Sequence, residues 1–147
     1  MAVLSVSGVR KRVQDRITTV LSGQGWRHSR YVPDLFGQDT DQITPRSFAV
    51  GVSSSTPVGD RQRLPVGTVV RTQLVVRFAW RLRADNQLSD YDAALDAEED
   101  VLAAVMSTDL NNLHIELDTI PSRTVSTDGD FFLGELQFIS EHRLPLT

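Results

Sequence analysis

The chain contains no cysteine. That excludes a disulfide framework, a thiolate metal centre and a thiol nucleophile, and leaves the redox compartment open. Long apolar runs are also missing. No stretch approaches the roughly 20 residues that a membrane-crossing helix needs, so no membrane partner is expected. The first residues, MAVLSVSGVRKR, place their charges after a short apolar patch, the reverse of the order in a signal peptide. A basic balance is lacking too. The net charge of −4 argues against general affinity for nucleic acid, which needs a basic face to displace counterions. Lys11 is the only lysine, and every other basic side chain is an arginine. Arginine suits planar interfacial ion pairs, although a coding bias accounts for the preference equally well.

Catalytic motifs are scarce. There is no phosphate-cradling glycine loop, no GxSxG elbow and no HExxH. His28, His114 and His142 stand far apart and are read as structural. His114 and His142 are read on strand faces that also carry Glu116 and Glu141, which leaves a chance pairing open. Asp39 and Asp41 have the one-residue gap of a calcium loop but lack its other ligands and its bidentate glutamate. Neither a metal nor a cofactor is expected, and no enzymatic activity.

What is present is organised around residues 67–83, GTVVRTQLVVRFAWRLR. Val70, Thr72, Leu74, Val76, Phe78, Trp80 and Leu82 alternate with Arg71, Gln73, Arg77, Arg81 and Arg83. Period 2 over this length predicts one long strand with an apolar face and an arginine face. At about 3.3 Å per residue it would span about 50 Å, more than twice a usual strand.

The chain of 147 residues is long enough for one domain with its own core. Ser7 is placed to cap a helix starting near Gly8, with Val9, Val13, Ile17, Val20 and Leu21 inside and Arg10, Lys11, Arg12 and Arg16 outside. Three cations in a first turn would oppose the helix dipole. Residues 26–46 read as an irregular but packed excursion. Residues 47–53 form a strand with Phe48, Val50 and Val52 on one face. Residues 54–66 read as an overlong hairpin loop, with Arg61 and Arg63 as candidate contacts to a tube or a neighbouring subunit. Ser89 is placed to cap a second helix running to about Met106. Its buried stripe is expected to be Tyr91, Ala94, Leu95, Val101, Leu102 and Val105, and its surface acidic. Short strands follow at 113–117 and 123–126. An Asp-Gly turn at 127–130 leads into a last long strand over 130–143. If the two long strands are neighbours, Arg71, Arg77 and Arg81 should lie over Glu135 and Glu141. The order helix, hairpin, helix, hairpin predicts a two-layer α+β sandwich, mainly antiparallel, with two helices on one sheet face.

Acidic and basic surfaces on different elements fit an assembly protein better than a catalyst. The chain resembles the tail terminator proteins of long-tailed bacteriophages over nearly its whole length. The resemblance rests on the basic first helix, the SFAVGVS strand with its long loop, RTQLVVRFAWRLR followed by DNQLSDYDAALDAEEDVLAAV, and the closing GELQFISEHRLPL. It implies a homo-oligomeric ring, usually a hexamer, seated on the last ring of the tail tube protein. Such a ring stops tube polymerisation and meets the neck or head-completion proteins. It implies a virion location at the tail–neck junction after assembly in the host cytoplasm. DNA would pass through without sequence-specific binding, and a mildly acidic protein is compatible with that. A closed ring repeats one heterologous interface, which needs two complementary patches per subunit. Arg10, Lys11, Arg12 and Arg16, or the arginine strand, could meet Asp92, Asp96, Glu99 and Asp100 of the next subunit. The two helices could instead satisfy each other within one chain. A neck or head-completion connector, or a small ligand-binding protein or enzyme, are the alternatives.

Overall fold

The computed structural model of the chain describes residues 2–30, 45–58, 68–119 and 121–145. Most of the expected excursion over 26–46, the Asp39/Asp41 pair and both Arg61 and Arg63 lie outside those residues.

Helix α1 spans Val6–Leu21. Val9, Val13, Ile17 and Leu21 recur every fourth residue and all are buried, which makes one apolar stripe. Ser5, and not Ser7, is the cap: its Oγ accepts from the Gly8 N–H at 3.1 Å. The helix therefore starts earlier than the sequence suggests. Arg10, Lys11 and Arg12 fall in the second turn, where the dipole penalty expected of a first-turn position has largely faded.

Strand β1 is Arg27–His28, β2 is Ser47–Pro57 and β3 is Val69–Arg81. Helix α2 is Gln87–Val105. Strands β4 (Ile115–Leu117), β5 (Ser122–Val125) and β6 (Phe131–Arg143) complete the fold. The sheet order is β1-β2-β3-β6-β4, and β5 pairs with β6 as well. All pairings among these strands are antiparallel except β1 with β2. Strands β3 and β6 match along their full length, from Val69 opposite Arg143 to Arg81 opposite Phe131. The long central strand read from the alternation is present over Val69–Arg81, ending before the expected Leu82 and Arg83, and its partner is equally long.

One sheet face carries Phe48, Val50, Leu74, Val76, Phe78, Phe132, Leu136 and Phe138, and both helices close over it in a single core. This is the expected two-layer α+β sandwich, with a mixed sheet. Gly134 stands opposite Phe78, and a Cβ there would clash with the Phe78 ring. The glycine leaves room for the aromatic beside β6. Trp26 and Phe132 extend that contact, with ring centroids each 5.9 Å from Phe78.

Two expectations about loops and stripes are corrected. Residues 54–57 are not loop. They continue β2 past a bulge between Val52 and Ser54, and the Val58 N–H still bonds to the Val69 carbonyl. Short polar side chains such as Ser54 and Ser55 tolerate an exposed hairpin strand, and their polarity resembles a loop. On α2, Ser89 is not the cap, because the helix begins at Gln87. Its buried side is mostly small: Ala94, Ala97, Val101, Ala104 and Val105. Small residues bring the helix axis close to the sheet and to α1, and this leaves Tyr91, Leu95 and Leu102 at the margins, partly buried.

Candidate assembly surfaces

The face of the sheet turned away from the helices carries the alternate residues of β3 and β6. The long register sets Arg71 opposite Glu141 and Arg77 opposite Glu135. Both pairs form, at 2.7 Å and 3.1 Å. Between them Gln73 donates to Asp118 Oδ2 at 2.7 Å and to Gln137 Oε1 at 3.2 Å. The expected complementarity of the two strands is present for these arginines. Arg81 departs from it, because the register places it opposite Phe131 at the end of the ladder. Exposed pairs of this kind contribute about 0–1 kcal/mol each, so they order the face more than they stabilise it.

Helix α2 sorts its acids by direction. Asp90 turns inward and receives the Arg83 backbone N–H at 2.8 Å and the Arg83 guanidinium at 3.0 Å on each oxygen. Those bonds, first the side-chain ones, hold its carboxyl below the usual range, and the Arg83 guanidinium is shifted up. Glu98 is buried against β5, where Arg123 donates to its two oxygens at 2.9 Å and 2.6 Å. Hydrogen bonding to Glu98 raises the Arg123 pKa. The acidic surface expected of α2 is therefore smaller than its run of acids, because Asp90 and Glu98 are taken up by arginines. The absence of a cation four residues along α2 conceals the arginines that reach them from the preceding loop and from β5. Asp92, Asp96, Glu99 and Asp100 are all exposed on the outward side. A one-sign stripe therefore remains once the inward acids are paired.

Helix α1 does not carry the matching basic stripe. Arg10 donates from Nη1 to the Val50 carbonyl at 3.2 Å and so covers the outer edge of β2. Arg16 donates from Nε to Ser107 Oγ at 2.9 Å, just beyond α2. The two are drawn to opposite flanks of the helix. Lys11 is exposed and Arg12 half-buried. None of the four ion pairs described above joins α1 to α2, although the helices pack together.

The three histidines sit in different surroundings. The His28 Nε2 accepts from the Val50 N–H at 3.2 Å, and its Nδ1 lies 2.6 Å from the Ser29 carbonyl. Burial lowers its pKa, against a backbone bond that raises it and the nearby Arg10 charge that lowers it further. His142 is fully buried while Glu141, one residue away on the strand, points to the opposite face and binds Arg71. The chance pairing of His142 with Glu141 is therefore not made. His114 is exposed, with a positive φ of 46°. Among the described residues no group of three or more histidine or acidic side chains is placed to hold a metal ion. Among them, too, no helix is long and apolar enough to cross a membrane. A shallow groove lined by Leu82, Gln87, Leu88, Tyr91, Val125 and Gly129 lies where the start of α2 meets β5. Compared with known families and curated sequences, the chain matches no family model and no curated protein.

Proposed function

We propose that the chain is one subunit of a homo-oligomeric ring, hexameric by its resemblance to phage tail terminators, that caps a tail tube and joins it to the neck. The ring would stop polymerisation of the tube protein and present its other side to the neck or head-completion proteins, with DNA passing through. The observation that carries this reading is the sorting of charge on α2. The fold gives each inward acid an arginine and leaves Asp92, Asp96, Glu99 and Asp100 exposed as one stripe. Such a stripe is costly to a lone subunit through self-repulsion and useful where a basic surface of a neighbour covers it.

We propose a narrower partner for that stripe than the whole outer side of α1. Arg10 and Arg16 are engaged within the chain, so Lys11 and Arg12 are the cations that α1 offers outward. Arg81, at the end of the strand ladder, adds a third. Replacing Asp96, Glu99 and Asp100 together with lysine should give folded, soluble monomers that no longer limit tube length. Purified wild-type chain added to polymerising tube protein should arrest growth. Tubes of unchanged length distribution in its presence would refute the reading.

A further inference from the structure

His142 lies at the end of β6 with no exposed surface, and its ring bonds to two other segments. Its Nδ1 is 2.9 Å from the Leu4 carbonyl, and its Nε2 is 2.6 Å from Thr72 Oγ1. Thr72 Oγ1 is in turn 3.0 Å from Ser55 Oγ on β2. A carbonyl can only accept, so Nδ1 carries the proton and donates to Leu4. Nε2 then accepts from the Thr72 hydroxyl, which is free to accept from Ser55. Ser55 is exposed, so one file of hydroxyl groups runs from water to the buried ring.

The segment held by this ring is the start of the chain. Ala2 donates to the Asn112 carbonyl at 2.8 Å, Leu4 donates to Arg143 at 2.9 Å, and Arg143 donates to Ala2 at 2.9 Å. Ser5, the next residue, caps α1. Val3, between the anchored residues, is 56 % exposed. Three backbone bonds and one imidazole therefore keep this short segment in place.

We infer that His142 and the Thr72–Ser55 hydroxyl pair form an acid-sensitive clasp, which holds Ala2–Leu4 against β6 and releases it when the imidazole takes up a proton. A proton from water would enter at Ser55, pass by exchange of hydroxyl hydrogens to Thr72, and arrive at Nε2, leaving one net positive charge on the ring. Among the described residues no anionic side chain faces that charge to offset it. On its own side of the sheet the neighbours are Val70, Thr72 and Ser140, all uncharged. Leu4 and Ser55 contribute none. From β6, Glu141 and Arg143 point to the other face, where Arg71 of β3 is bound to Glu141. From α1, Arg10 is directed to Val50, Lys11 is exposed, and Val9 is apolar and buried. An uncompensated buried cation is relieved most readily by letting water reach it. The segment over the ring is held by three backbone bonds beside the imidazole, so few bonds must break to open it. Burial also holds the imidazole pKa below its usual value, opposed only by the bond to Leu4. This inference does not depend on the ring reading.

The test is amide hydrogen exchange by NMR on the full chain between pH 7.5 and 4.5, corrected for intrinsic rates, with the imidazole signals titrated in the same samples. One proton linked to opening changes the opening equilibrium about tenfold per pH unit below the usual imidazole pKa. The Leu4 and Arg143 amides should lose protection with that slope, while amides in the middle of β3 and β6 keep theirs. His142→Gln should flatten the slope. Thr72→Val removes the donor that favours the neutral ring, so release should begin at higher pH; this variant serves if His142→Gln does not fold. Unchanged protection of Leu4 and Arg143 through the His142 titration would overturn the inference. So would an equal loss at the centre of the sheet, which would mean global unfolding.

Discussion

The contact between Glu98 and Arg123 ties α2 to the short strand β5, and its removal has a magnitude that follows from burial. The Glu98 side chain is 6 % exposed and that of Arg123 is 43 % exposed, with two hydrogen bonds between them. Arg123→Met removes both donors and keeps most of the apolar stem. Removing one partner of a fully buried pair costs about 3–5 kcal/mol, because a carboxylate is left unpaired in a dry site. Here the guanidinium side is open to solvent, so water can reach the vacated oxygens. That lowers the expected loss to about 1–3 kcal/mol. Replacing both residues with methionine should cost less than Arg123→Met alone, since no charge is then stranded. Urea unfolding followed by tryptophan fluorescence, at concentrations where assembly does not contribute, gives all three values. A loss below about 0.5 kcal/mol for Arg123→Met, or a double variant as unstable as the sum of the singles, would refute the reasoning.

Gly134→Ala should destabilise by about 1–3 kcal/mol through overpacking against Phe78, and Phe78→Leu in the same chain should recover part of it in thermal melts. Arg71→Ala and Arg77→Ala should each cost no more than about 1 kcal/mol, and their coupling to Glu141 and Glu135 in double-mutant cycles should shrink as salt rises. Acid should weaken the fold in two stages. His28 and His142 have lowered pKa values, so the folded chain binds fewer protons than the unfolded one; that stability is complete above the usual imidazole pKa and falls as pH drops through it. The Asp90 carboxyl is also lowered, so its contribution persists until pH falls below the usual carboxylate range. Denaturation midpoints measured from pH 8 to pH 3 should decline in that order, and a rise in stability between pH 7 and pH 5 would contradict it.

The sheet was legible because alternation is a local signal. Period 2 over 67–83 fixed the strand, its two faces and, through the like alternation of 130–143, the arginine–glutamate ladder. The helices were legible in existence but not at their starts. Ser5 and Ser7 could each cap α1, and only backbone geometry selects Ser5; α2 starts after Asn86 with no side-chain cap bond, so Ser89 is a misleading signal. The β2 extension through Pro57 was hidden because a Ser-rich hairpin strand has the composition of a loop. The candidate surface was legible only in part. Reading acids by spacing along α2 cannot show that Arg83 and Arg123 arrive from elsewhere to take Asp90 and Glu98. Nor could spacing on α1 show that Arg10 and Arg16 are drawn to opposite flanks. Those facts depend on long-range packing, which places β5 beside Glu98 and β2 beside Arg10.

The central claim is that identical copies close into a ring through heterologous charged surfaces. Native mass measurement over a range of concentration and salt tests it most directly. The account predicts one closed stoichiometry, six copies, that dissociates to folded monomers as salt rises and is retained when the chain is bound to tail tubes. A monomer at every concentration, with no added mass on the tubes, would contradict it.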